Sequence, residues 1–137
     1  MNYTEVSKAL NGKKVLITGG AGFIGSTLAE TLLKIGASVV VLDSLITGFQ
    51  SNIDRLISYK QFEFIQADIC NPIDYTHILK DIDCVSHQAA LGSVPRSIEF
   101  PLNTHHANAT GFCVLFASPG AVAASGRAVC KQRPPGC

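Results

Sequence analysis

The chain has 137 residues, a formal net charge of +1, a charged fraction of 15% and a hydrophobic fraction of 47%. That length sets a limit of one domain, with a core that buries roughly two-thirds of the unfolded surface, and the sparse, balanced charge excludes an electrostatic case for nucleic acid or a membrane surface. No apolar stretch approaches a membrane span, no basic leader precedes an apolar run at the N-terminus, and the five cysteines form no CxxC pair or metal-ligand spacing, so a cytoplasmic protein with reduced thiols is expected.

In chain order, Thr4–Leu10 reads as a short leading helix stopped by Asn11-Gly12. The next stretch is the most informative. Lys14–Gly25, KVLITGGAGFIG, begins with the apolar run Val15, Leu16 and Ile17, the mark of a strand buried on both faces, predicted over 14–18. Glycines follow at 19, 20, 22 and 25. A helix is predicted over 22–35, because Ile24, Leu28, Leu32 and Ile35 recur at helical spacing, and Gly36 ends it. Strand, glycine turn and helix in that order make a cradle for a dinucleotide pyrophosphate. Gly19 allows the tight turn, Gly22 lets the backbone approach the phosphates, and Gly25 lets helix and strand pack closely. The helix N-terminus adds N–H donors and the positive end of its dipole. A second strand, Ser38–Asp43 (SVVVLD), ends in an acid eighteen residues after Gly25. Asp43 can accept hydrogen bonds from the adenosine ribose and repels a 2′-phosphate, and the next arginine is Arg55, so NAD is expected rather than NADP. The bland alternative is a βαβ unit whose glycines serve packing and whose Asp43 is a solvated strand end.

Beyond Asp43, residues 44–50 read as a loop and 52–58 as a short helix or turn. Phe62, Phe64 and Ile65 mark a third strand ending near Ala67-Asp68. Asn71-Pro72 reads as a cap and first helical position, with a helix to about Lys80. Cys84–His87 is the fourth strand, and Pro101 opens another helix that reaches at least Phe112. Strands alternating with helices predict an α/β fold, the N-terminal part of a Rossmann doubly wound parallel sheet with strand order 3-2-1-4. The ligand crevice lies at the carboxyl ends of strands one and four. His105-His106 has no partnering acid or cysteine at ligand spacing, so no metal is expected.

Six segments together carry a resemblance: Thr18–Gly25 (TGGAGFIG), Asp43–Gly48 (DSLITG), Ala67–Ile69 (ADI), His87–Leu91 (HQAAL), Ser93–Ser97 (SVPRS) and Asn108–Gly111 (NATG). With these, residues 13–112 resemble the NAD-dependent epimerase/dehydratase branch of the extended short-chain dehydrogenase/reductase family. Within it they resemble nucleotide-sugar 4-epimerases, especially those acting on UDP-N-acetylglucosamine or UDP-glucose, with a nucleotide-sugar dehydratase as the alternative inside the family and a non-catalytic NAD-binding module or inert truncated product as the alternative outside it. The resemblance implies that Gly19, Gly22, Phe23, Ile24 and Gly25 lie along the NAD pyrophosphate. It implies that Asp43 holds the ribose with Leu45, Thr47 and Gly48 nearby, and that Asp68 and Ile69 meet the adenine. Ala89 and Ala90 would border the nicotinamide-side ribose and phosphates, and Ser93 and Val94 would begin the contact with the UDP-sugar. Asp68 could instead cap a loop, Ser93 could be a turn cap before Pro95, and His87 is assigned no chemistry. A homodimer is the family's implied assembly.

The family's chemistry needs a Tyr-x-x-x-Lys pair, in which lysine lowers the tyrosine pKa so that it can act as base. Four residues beyond Tyr3, Tyr59 and Tyr75 stand Ser7, Glu63 and Leu79, so the pair is absent from these 137 residues and no catalytic residue is assigned. Residues 113–137 hold three of the five cysteines and three of the six prolines, and no acid follows Glu99. The expected division is therefore a partial NAD-binding domain over 1–112 and an atypical, irregular tail over 113–137. The tail is read as a change of reading frame or a truncated gene, with a genuine short tail as the alternative. Pro119-Gly120 should break the last helix, Pro134-Pro135-Gly136 cannot form a central strand, and strand four should be left as an exposed edge.

Overall fold

The computed structural model describes residues 2–71, 75–117 and 129–131. The leading helix α1 spans Tyr3–Leu10, and Asn2 and Glu5 cap it reciprocally: the Asn2 side chain accepts from the Glu5 N–H at 3.0 Å and Glu5 accepts from the Asn2 N–H at 2.9 Å. Strand β1 is Lys14–Thr18, helix α2 Phe23–Lys34 and strand β2 Ser38–Asp43. A single turn of helix, α3, covers Gln50–Asp54 and is followed by strand β3 at Phe62–Gln66. Helix α4 is Tyr75–Leu79 and strand β4 Cys84–His87. The proposed helix start at Pro72 lies outside the described residues.

All pairings are parallel, in the order β3-β2-β1-β4, as expected from the alternation of elements. Continuous apolar sequence explains the central position of β1 and β2, since every side chain from Val15 to Thr18 and from Val39 to Asp43 is buried. Alternate side chains feed two cores. One face carries Val15, Ile17, Val39 and Val41 against Ala29, Leu32 and Leu33 of α2 and Ile53 of α3. The other carries Leu16, Val40, Leu42 and Val85 with Leu79 and Leu115. Asp83 ties the start of the sheet together: it accepts from the Lys14 N–H at 2.9 Å and pairs with Lys13 Nζ at 3.1 Å.

After β4 the structure departs from expectation in three places. Val94–Glu99 forms a short helix, α5, capped by Ser93, before the expected one begins at Pro101. The later helix then runs as α6 (Pro101–His105), a wide π turn (His106–Thr110) and α7 (Gly111–Ala117), passing Phe112. Strand β5, Val129–Lys131, pairs in parallel with Val85–His87. The tail is thus not irregular throughout, and β4 is not a bare edge: three backbone pairs cover it. Pro119-Gly120 and Pro134-Pro135-Gly136 lie outside the described residues. Among the described residues no helix is long and apolar enough to cross a membrane.

Candidate functional site

The carboxyl end of β1 passes straight into the glycine turn. Gly19 has φ +71, a left-handed conformation that favours glycine, and its N–H donates to the Leu42 carbonyl at 2.9 Å. A Cβ at Gly19 would stand 2.6 Å from the Ala89 nitrogen, so the turn can approach the segment after β4 only as glycine. A Cβ at Gly25 would overlap the Gly19 carbonyl oxygen and lie 2.7 Å from the Gly20 Cα, which is why helix α2 can begin directly against the turn. Gly22 is different. Its backbone is extended (φ −75, ψ 171), its Cβ would meet only the Gly19 oxygen at 3.3 Å, and it faces open space. It caps α2 without a side chain, so the N–H groups of Phe23, Ile24 and Gly25 have no acceptor within the helix. Three backbone donors and a positive dipole end thus stand at the start of α2 beside the open space in front of Gly22, which fits an anionic diphosphate.

Asp43 is buried at 8% exposure, not a solvated strand end. One carboxylate oxygen accepts from the Ala21 N–H at 2.9 Å and the other from the Leu45 N–H at 2.8 Å. Leu45 sits at φ +61, a conformation unusual for a bulky residue, and its side chain packs on the α2-side core. Its place in the site is therefore made by its backbone. Asp68 accepts from the Cys70 N–H at 2.9 Å, so the loop-capping role foreseen as an alternative is present. The Cys70 thiol donates to the His106 carbonyl at 3.4 Å. Burial, then the neighbouring Asp68 charge, pushes that thiol above its ordinary pKa and keeps it protonated.

One cleft of about 140 Å³ joins these groups. Of the residues singled out from sequence, Gly19, Gly22, Asp43, Thr47, Gly48, Asp68, Ile69, Ala89 and Ala90 line it. Gly25, Leu45, Phe23 (85% exposed), Ile24, Ser93 and Val94 stand outside the lining. The Ser93 hydroxyl accepts from the Arg96 N–H at 3.4 Å, the cap role foreseen for it. Sequence reasoning passed over Gln88, Leu91, Cys70 and Ala107, which also line the cleft. Nothing in their residue type marks them; Gln88 and Leu91 lie inside the HQAAL segment and Cys70 directly follows ADI, so only those segments could have pointed to these three.

His87 is buried behind the cleft. Its Nδ1 shares a 2.7 Å hydrogen bond with the Thr18 hydroxyl, whose oxygen also accepts from the Ala89 N–H at 3.4 Å. Phe112 and Phe116 meet the ring edge-on. This packing gives His87 a structural place and sets the two loops flanking the cleft a fixed distance apart. Among the described residues no cluster of three His, Cys, Asp or Glu side chains could hold a metal.

Comparison with known proteins gives consistent results. The model of the NAD dependent epimerase/dehydratase family matches residues 15–124. A UDP-glucose 4-epimerase from Lactobacillus helveticus is 41% identical over 104 residues, covering 74% of this chain and 30% of that protein. A UDP-N-acetylglucosamine 4-epimerase from Methanobrevibacter ruminantium, solved with UDP-N-acetylmuramic acid, superposes with a TM-score of 0.72 at 36% identity. That match covers 78% of this chain and 34% of the other. The UDP-glucose 4-epimerase of Thermus thermophilus, solved with NAD, gives 0.66 at 38% identity, over 76% and 32% of the two chains. The chain therefore spans about a third of the length of the relatives it matches.

Proposed function

Because the chain belongs to the NAD dependent epimerase/dehydratase family, we propose that it is the cofactor-holding part of a UDP-sugar 4-epimerase, of the UDP-N-acetylglucosamine or UDP-glucose type. The observation that carries this reading is the single cleft on which Gly19, Gly22, Asp43, Asp68, Ala89 and Ala90 all open. NAD fits its donor set. The unpaired N–H groups at the start of α2 face the pyrophosphate, and the Asp43 carboxylate keeps lone pairs for ribose hydroxyls beside its two backbone bonds. Asp68 and Ile69 take the adenine end, while Ala89 and Ala90 take the nicotinamide-side ribose and phosphates. Ser93 and Val94 begin the sugar side. When bound, NAD supplies reversible hydride transfer at C4 of the sugar. The chain's own residues bind and orient it.

The same reading takes residues 1–112 as the NAD-binding portion and 113–137 as an atypical tail; because the family match runs on to residue 124, a change of frame is placed in the sequence after that match. A coherent frame in the encoding DNA, with no epimerase sequence in either alternative, would overturn that division. Catalysis is a separate matter. With no Tyr-x-x-x-Lys pair among its tyrosines, the 137-residue chain is a binding module without turnover. Calorimetry on the folded chain should give NAD⁺ binding, weaker NADP⁺ binding because Asp43 repels the 2′-phosphate, and no conversion of UDP-N-acetylglucosamine in a coupled assay. No NAD⁺ affinity in a folded chain overturns the cofactor reading; turnover overturns only the inactive state.

A further inference from the structure

The peptide groups on either side of Ala21, at the apex of the glycine turn, are pinned from outside the turn. The Ala21 N–H donates to Asp43 at 2.9 Å. The Ala21 carbonyl accepts twice, from the Asn52 side-chain amide at 2.8 Å and from the Phe49 N–H at 3.0 Å. A carbonyl oxygen has two lone pairs, so both are taken. That carbonyl lies in the same planar peptide group as the Gly22 N–H, which donates to the Gly19 carbonyl at 3.2 Å. Turning this peptide would break three hydrogen bonds at once. Asn52 is itself held, its N–H donating to the Phe49 carbonyl at 3.0 Å in the first turn of α3. It does not line the cleft.

We propose that Asn52 is a positioning residue that fixes the Ala21–Gly22 peptide, and through it the pyrophosphate cradle, without touching the cofactor. This rests on the NAD reading above. Asn52 sits thirty-one residues from Ala21 in sequence, so α3 acts as a buttress to the glycine turn and not only as a connection between β2 and β3. Removing the donor releases one side of the peptide plane, and the donors at the start of α2 then lose their common aim. Adenosine, which has no pyrophosphate, is indifferent to that loss.

The test compares Asn52→Ala and Asn52→Asp with the unaltered 137-residue chain. Asn52→Asp is nearly isosteric but sets an acceptor against the Ala21 carbonyl. Affinities for NAD⁺ and for adenosine are measured by calorimetry, and exchange of the Ala21 and Gly22 amides by NMR without ligand. Both variants should bind NAD⁺ about tenfold more weakly, with adenosine unchanged and both amides exchanging about tenfold faster. Asn52→Gln, which keeps a donor, should recover part of the loss. Unchanged NAD⁺ affinity in either variant overturns the proposal and leaves the cofactor reading standing. Parallel loss of NAD⁺ and adenosine affinity also overturns it, by showing a general structural role. Absence of NAD⁺ binding in the unaltered chain overturns the cofactor reading and this proposal together.

Discussion

Gly22 and Gly25 stand three residues apart in one turn, yet a side chain at each meets a different obstacle. A Cβ at Gly25 runs into the Gly19 carbonyl and the Gly20 backbone, neither of which can move aside without undoing the turn. Gly25→Ala should therefore cost roughly 1–3 kcal/mol of stability as overpacking, read as a lower urea midpoint. A Cβ at Gly22 has only the Gly19 oxygen nearby and otherwise enters the cleft. Gly22→Ala should leave the urea midpoint close to its original value and weaken NAD⁺ binding about tenfold, a loss of roughly 1.4 kcal/mol. If Gly22→Ala unfolds the chain as readily as Gly25→Ala, the division between packing and cradle glycines is wrong. The Cys70 thiol gives a pH prediction. Its pKa is raised in the folded state, so the folded chain keeps it neutral where the unfolded chain ionises it; stability from this group is intact below the ordinary thiol pKa and falls as pH rises through it. At neutral pH Cys70 should be alkylated more slowly than the exposed Cys113, with peptide mass mapping as the readout. Equal rates would contradict its burial. The glycines and Asp43 were legible in sequence because their service follows from residue type and short spacing. Asn52 was not, since its amide shows its purpose only when its partner, thirty-one residues away in the chain, is known.

At the scale of elements, the helical stretch from Pro101 to Ala117 widens into a π turn at His106–Thr110. Such turns are uncommon and rotate the side chains that follow. Here the widened segment carries Asn108, whose amide works as a two-pronged bracket: its oxygen accepts from the Leu91 N–H at 2.7 Å and its nitrogen donates to the Leu91 carbonyl at 3.1 Å. The segment after β4 that contributes Gln88, Ala89, Ala90 and Leu91 to the cleft is thereby fastened to the helix. Asn108→Ala should speed exchange of the Leu91 amide about tenfold or more and cost roughly 1–2 kcal/mol for two lost net hydrogen bonds. An unchanged Leu91 exchange rate would show that the bracket is not closed in solution. Periodicity found the long helices and the apolar strands β1, β2 and β4 because their patterns are continuous over the whole element. It cannot reveal a change in helical register, and it passed over α5, where Pro95 read as part of a turn although it stands near the first position of a helix, as Pro101 does in the helix that was expected. Strand β5 escaped for another reason: three residues carry too little pattern, and only the open side of β4 gives them a partner.

Across the whole molecule, the cleft draws on the carboxyl ends of four strands. Gly19 follows β1, Asp43 ends β2, Asp68 follows β3, and Ala89 and Ala90 follow β4. The order β3-β2-β1-β4 makes this possible, because the chain leaves β1 toward one side for β2 and β3 and returns on its other side for β4. Residues from 19 to 90 meet only when all four strands are paired, so an unfolded chain has no equivalent site. NAD⁺ should then bind the folded state alone and stabilise it by linkage. At a concentration one hundred times the dissociation constant the gain is about 2.7 kcal/mol, which for a domain of this size raises the melting temperature by roughly 10 °C. Truncation of the ligand should divide that gain. ADP-ribose keeps the pyrophosphate and both riboses and should retain most of the shift, whereas adenosine reaches only the Asp43–Asp68 end and should give little. Differential scanning fluorimetry over a concentration series of the three compounds reads this directly. A full shift from adenosine would place the binding energy at the ribose and adenine alone and would remove the glycine turn from the site.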